Sequence, residues 1–137
     1  MIVVDASAMV FALAHDDDLG DQARSALSMH QEWIAPTHLT AELTHSLRGM
    51  VLGGKVEPDR AEWALREYFD LGVDLIAPDF DAVDRAWKLR HSLSAYDALY
   101  VAVAERHGLP LLTADARMEA SGAAKCEFVV VRPSPTA

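Results

Sequence analysis

The chain has 137 residues, 51% of them apolar, and a formal net charge of -9 at neutral pH. That length suits one domain with a sizeable core, and no apolar run reaches the ~18 residues a membrane helix needs. The charge excludes a protein that grips nucleic acid by a basic field alone, so a nucleic-acid partner would need a cation to mediate the contact.

The opening MIVVDASAMVFALA is apolar, but it lacks a basic leading segment and is interrupted by Asp5, so it does not read as a secretory signal. Ile2–Val4 reads as a short buried strand ending at Asp5, followed by a helix from Ala6 to Ala14. After the polar HDDDLGD, a second helix is expected from about Leu19 to His30. Trp33–Ala35 is a strand stopped by Pro36. Thr37 is placed to cap a helix from His38 to Leu52, which Gly53-Gly54 ends. Pro58 opens the next helix, with core candidates Trp63, Leu65, Tyr68 and Phe69. Val73–Ile76 is a strand stopped by Pro78, and Asp79 or Asp81 starts a helix ending near His91. Ser94 caps the helix AYDALYVAVA, which Gly108 ends. Leu109–Leu112 is a strand, Ala114–Ala120 a short helix and Glu127–Val131 a last strand. Trp33, Trp63 and Trp87 are candidates for the core or for an interface, with the core preferred for each. Residues 133–137 read as a short flexible tail behind a domain spanning 1–132. Strands alternating with helices, and apolar almost throughout, argue for an α/β fold with a mostly parallel sheet. Strand order stays open on this evidence.

Four acids stand out. Asp97 is the one charge in AYDALYVAVA. It lies three residues after Ser94, close to a capping box, and an acid in a first turn opposes the helix dipole. Asp5 and Asp115 could likewise be helix caps. Glu42 is different: at about 100° per residue it sits roughly 110° from the centre of the stripe formed by Leu39, Leu43, Leu47 and Met50. Asp5, Glu42 and Asp115 each follow a strand closely, and Asp97 begins the helix that returns to one. In a parallel sheet those points share the carboxyl edge, where α/β folds place their sites. Converging carboxylates repel, and a hard divalent cation relieves the conflict. Ser7 and Thr113 could add hydroxyls to its surroundings, although local capping is also open to both. Arg85, Lys88, Arg90 and His91 could steer phosphates, or form a solvated helix face.

Taken together, VDAS at 4–7, Glu42 within PTHLTAEL, YDALYVAVAE at 96–105 and LLTAD at 111–115 resemble the PIN domain, and within it most closely the VapC-type toxins of bacterial toxin–antitoxin pairs. The resemblance covers nearly the whole chain. It implies a parallel sheet of about five strands, order 3-2-1-4-5, between helices on both faces. It also implies a cytoplasmic endoribonuclease that uses Mg²⁺, or Mn²⁺, held by Asp5, Glu42, Asp97 and Asp115. On this reading Asp5 and Asp97 are the main inner ligands, and Asp115 and Glu42 act through water or a second ion. The partners implied are an RNA substrate, a cognate antitoxin whose tail blocks the acids, and a second copy in a homodimer, with no membrane.

Three other readings are weaker. Glu42-Leu43-Thr44-His45 is a Glu-x-x-His motif of the kind that builds di-iron sites in bundles, but it has no second copy. A Mg²⁺-dependent phosphatase would want an Asp where Ser7 stands, and a phospho-acceptor domain would want an acidic pair before its first helix. A non-catalytic regulatory module would leave the four acids without a shared task.

Overall fold

A computed structural model describes residues 1–135. Five strands, β1 (Ile2–Val4), β2 (Trp33–Pro36), β3 (Asp74–Ile76), β4 (Leu111–Thr113) and β5 (Phe128–Val130), form one sheet. The order is β3-β2-β1-β4-β5, and every pairing is parallel. Seven helices lie among the described residues: α1 (Ala6–Ala14), α2 (Asp18–Ser28), α3 (Leu39–Leu52), α4 (Pro58–Leu71), α5 (Phe80–Lys88), α6 (Ala95–His107) and α7 (Ala116–Ala120). Each of the first three connections carries two helices. The chain builds outward from β1 through β2 to β3, then crosses back to place β4 on the other side of β1. That reversal between β1 and β4 is a switch point, where loops leave the strand ends in opposite directions and open a crevice. The expected order and the parallel sheet are both present.

The pattern of burial explains why β1 and β4 are apolar on both faces. Ile2, Val3, Val4, Leu111 and Leu112 are all buried, because helices cover both sides of a central parallel strand. Helix α1 is buried along most of its length. Leu39, Leu43 and Leu47 of α3 pack into the same core, as do Ala98, Val101 and Ala104 of α6. Gly20 marks the tight approach of α2 to the end of α1: a Cβ there would lie 2.0 Å from the His15 carbonyl oxygen.

Several expectations need correction. Trp63, Phe69 and Trp87 are exposed, at 48%, 67% and 65%. Helix α4 instead buries Ala61, Ala64 and Tyr68, a spacing of three and four residues whose two small side chains permit close packing. The displaced indoles carry cations: the Arg60 guanidinium stacks 4.9 Å from the Trp63 ring, and Arg90 lies 4.9 Å from Trp87. Trp33 is half-buried, with its Nε1 donating to the Leu27 carbonyl at 3.0 Å. Thr37 does not cap α3. Its N–H donates to Ile76 O at 3.1 Å and extends the β2–β3 ladder, and the N-cap position falls to His38 without a side-chain bond. Ser94, Pro58, Asp79 and Gly108 take their expected terminal positions, Gly108 in the left-handed region that suits it. At the end of the chain Ser134 hydrogen-bonds Asp18 and Gln22. Residues 136–137, the end of the expected tail, lie outside the described residues. Among those described, no helix is long and apolar enough to cross a membrane.

Candidate active site

Asp5 ends β1 at the switch point. Its N–H donates to Leu112 O at 3.0 Å, so the β1–β4 ladder continues up to the residue that leaves the sheet. Its carboxylate then caps α1. Oδ1 accepts from the Ala8 N–H at 3.0 Å and from Ser7 Oγ at 2.7 Å, and Oδ2 accepts from Thr113 Oγ1 at 2.5 Å. The hydroxyls reach further. The Ala114 N–H donates to Ser7 Oγ at 2.9 Å, and the Asp115 N–H donates to Thr113 Oγ1 at 3.0 Å. Ser7 and Thr113 therefore tie the β1–α1 turn to the β4–α7 turn. Asp5 is 4% exposed, and burial pushes its pKa up to about 6 against the pull of its three hydrogen bonds, with the nearby Asp97 charge adding to the rise.

Asp97 sits in the first turn of α6, where Ser94 Oγ accepts its backbone N–H at 3.1 Å. The capping role therefore belongs to Ser94, whose hydroxyl also bears on the Asp97 carboxylate and draws its pKa down a little. It is half-buried and lines a cavity of about 320 Å³ with Ser94, Asp115 and Arg117. Burial raises its pKa, and the charge of Asp115 raises it further. Asp115 caps α7. Arg117 donates to it three times: N–H to Oδ1 at 3.0 Å, Nε to Oδ1 at 2.9 Å and an Nη to Oδ2 at 2.9 Å. That guanidinium holds the Asp115 carboxyl below its ordinary range.

Glu42 enters from α3. The Tyr100 hydroxyl of α6 donates to its Oε1 at 2.8 Å, and His38 Nε2 lies 3.4 Å from the same oxygen. Tyr100 is buried, and both that burial and the Glu42 charge hold its phenol firmly protonated. Asp5 acts on the same phenol by charge, so Glu42 and Asp5 border Tyr100 from two elements.

The four acids thus form an open series along one sheet edge, Glu42 by Tyr100, then Asp5, Asp97 and Asp115, rather than a closed cage. Among the described residues no three His, Cys, Asp or Glu side chains are gathered tightly enough to hold one ion directly. The donor set is nonetheless suited to a hard cation. It is all oxygen, one Asp5 oxygen takes a single hydrogen bond and keeps a lone pair, and the Asp97 carboxylate opens onto the cavity. Mg²⁺ commonly takes only one or two carboxylates and fills its other positions with water.

The cations upstream of Asp97 have other tasks. Arg85 forks onto Glu105 at 2.7 and 3.0 Å, and Lys88 pairs with Asp84 at 2.8 Å. Sequence reasoning did not single out Tyr100 or Arg117 at this site. Tyr100 lies three residues after Asp97, the spacing that puts two side chains on one helix face. His38 lies four residues before Glu42, but its Nε2 is 3.1 Å from the Tyr96 carbonyl, and the sheet leaves no four-helix bundle to supply a second Glu-x-x-His motif.

Residues 2–123 match the family model described as the PIN domain. Ribonuclease VapC1 of Mycobacterium tuberculosis is 38% identical over 132 residues, covering 95% of this chain and 97% of that protein. The crystal structure of VapC20 from the same organism, titled a sarcin–ricin loop cleaving toxin, superimposes with a TM-score of 0.71 at 22% identity. It covers 97% of this chain and 100% of that one. VapBC-5 of M. tuberculosis, titled a member of the VapBC family of toxin–antitoxin systems, gives 0.59 at 24% identity, covering 95% and 98%.

Proposed function

The chain belongs to the PIN-domain family, and from that premise we propose that it is a divalent-metal-dependent endoribonuclease, the toxin of a VapBC-type toxin–antitoxin pair. The observation that carries this reading is the Asp97 carboxylate. It is half-buried, faces the Asp97–Asp115 cavity, and lies within reach of the charges of both Asp5 and Asp115. Three carboxylates drawn to one sheet edge repel unless a cation is shared among them.

Asp5 and Asp97 would hold the ion, Mg²⁺ or Mn²⁺, with Asp115 and Glu42 acting through water. When bound, the ion lowers the pKa of its water and relieves charge on the phosphoryl oxygens. The chain's own residues do the rest. Ser7 and Thr113 fix the Asp5 carboxylate so that its remaining lone pair has one direction. Burial and the Asp115 charge both disfavour an unpaired Asp97 carboxylate, and a bound cation would relieve both. Tyr100 holds Glu42 in place by donation, and its firmly protonated phenol keeps that role at any physiological pH. The pocket needs no nucleophilic side chain.

The partners follow from surfaces. An apolar groove of about 260 Å³ between α3 and α4, lined by Leu47, Val51, Ala61 and Leu65, suits a segment of an antitoxin. Phe80, Val83 and Trp87 expose an apolar stripe along α5, which suits a second copy. The deciding experiment is cleavage of a labelled single-stranded RNA by the purified chain. Hydrolysis with Mg²⁺ or Mn²⁺, abolished by EDTA and by Asp97→Asn with unchanged circular dichroism, supports the assignment. Wild-type rates in Asp97→Asn would end it.

A further inference from the structure

An acidic chain that cleaves a polyanion needs a cation to seat the phosphate groups on either side of the scissile bond. The cations of α5 and α6 pair with acids away from the cavity. Arg85 is forked onto Glu105, Lys88 is held by Asp84 and Arg106 by Asp79. Among the side chains that line the Asp97–Asp115 cavity, Arg117 is the one cation. Its backbone is anchored by α7, whose Met118 is buried, while its side chain is 91% exposed. The guanidinium lies in a planar fork on Asp115, with both contacts at 2.9 Å.

A fork that fits two carboxylate oxygens fits two phosphate oxygens equally well. The Arg117 end of the pair stands in solvent while Asp115 is largely covered, so a phosphate can meet the guanidinium from the open side and exchange with the carboxylate. The same exchange uncovers Oδ2 of Asp115, while Oδ1 keeps the Arg117 N–H that caps α7. Resting on the nuclease reading, we propose that Arg117 is the phosphate-binding residue of this pocket. It leaves the Asp115 carboxylate for a phosphodiester of the RNA next to the scissile bond, and in doing so frees Asp115 for its part at the acidic site. Asp115 thus parks the cation between turnovers and keeps it pointed into the cavity.

The test is steady-state cleavage of a fluorogenic single-stranded RNA in Mg²⁺ over a range of salt, with thermal midpoints measured alongside. Arg117→Ala should raise KM about tenfold with a much smaller change in kcat, as expected for a lost phosphate contact. The salt dependence of log(kcat/KM) should become shallower by about 0.7 per decade, the counterion release of one single-strand phosphate contact. Arg117→Lys should recover part of the KM and most of the slope, because it keeps the charge and loses the fork. Lys125→Ala, which removes the same formal charge near Glu105, controls for bulk charge and should leave both unchanged. RNA binding by the Asp97→Asn chain, read by anisotropy, should weaken about tenfold when Arg117→Ala is added. Unchanged KM and slope in Arg117→Ala overturn the proposal, as does a loss confined to kcat that lysine does not restore, which would reduce Arg117 to a support for Asp115. A wild-type chain that fails to cleave RNA removes the functional reading and this assignment together, an outcome distinct from either.

Discussion

Ionised Asp5 should cost the fold measurable stability, and removing its charge should return it. Burial moves its pKa from an ordinary 3.8 to about 6. At about 1.36 kcal/mol for each tenfold change in the proton equilibrium, the displacement amounts to about 3 kcal/mol at neutral pH. The sign follows from linkage: a carboxyl whose folded pKa is raised favours the native state while protonated, fully so below pH 3.8, and that contribution is lost as pH rises through about 6. Asp17, Asp18, Asp79 and Asp115 shift the opposite way, so the wild-type curve alone mixes signs. The difference between Asp5→Asn and wild type isolates the group. Urea unfolding in EDTA at four pH values between about 3 and 7.5 should show the mutant gaining on wild type by about 3 kcal/mol across that range, mostly between pH 4 and 6. Mg²⁺ at pH 7.5 should stabilise wild type and leave the mutant unaffected. Parallel pH profiles for the two chains would refute the reasoning.

Other perturbations have equally definite outcomes. Tyr100→Phe removes the donor to Glu42 and should cost about 1–3 kcal/mol in thermal or urea unfolding and lower kcat more than it raises KM. Gly20→Ala forces a Cβ onto the His15 carbonyl and should destabilise by about 1–3 kcal/mol, a typical overpacking cost, with catalysis unchanged at temperatures where the chain stays folded. Leu43→Ala, at a fully buried position, should cost about 2–5 kcal/mol in urea unfolding. Trp87→Glu on the exposed stripe of α5 should give a monomer in light scattering; a dimer of unchanged affinity would move the self-association face elsewhere.

What could be read from residues alone was local or periodic. Ser94 and Gly108 bracket α6 because a hydroxyl at an N-cap and a glycine beyond the last turn act within a few residues. The apolar β1 and β4 runs marked them as strands, while their central place came only with the order that the family resemblance implies. The exposed indoles were misjudged because burial of a helix face depends on what packs against it. Helix α4 chose Ala61 and Ala64 over Trp63 to approach its neighbours closely, a matter of interhelical distance that no single segment encodes. Thr37 looked like a cap, but a backbone bond to β3 claimed it, and that bond spans the chain from 37 to 76. Tyr100 and Arg117 escaped notice for the same kind of reason. The Tyr100 hydroxyl meets Glu42 only after α3 and α6 dock. Arg117 and Asp115 are two residues apart, a spacing that faces away in a regular helix and closes only because Asp115 has the extended conformation of an N-cap.

The central claim is that Asp5 and Asp97 meet at the β1–β4 switch point to share a divalent ion. Mn²⁺ titration followed by electron paramagnetic resonance, which sees the free ion, tests it without reference to catalysis. Wild type should deplete the free signal with a stoichiometry of at least one ion per chain, and Asp97→Asn and Asp5→Asn should each leave it nearly intact at the same concentrations. Undiminished binding in both mutants, or none in wild type, would contradict the account.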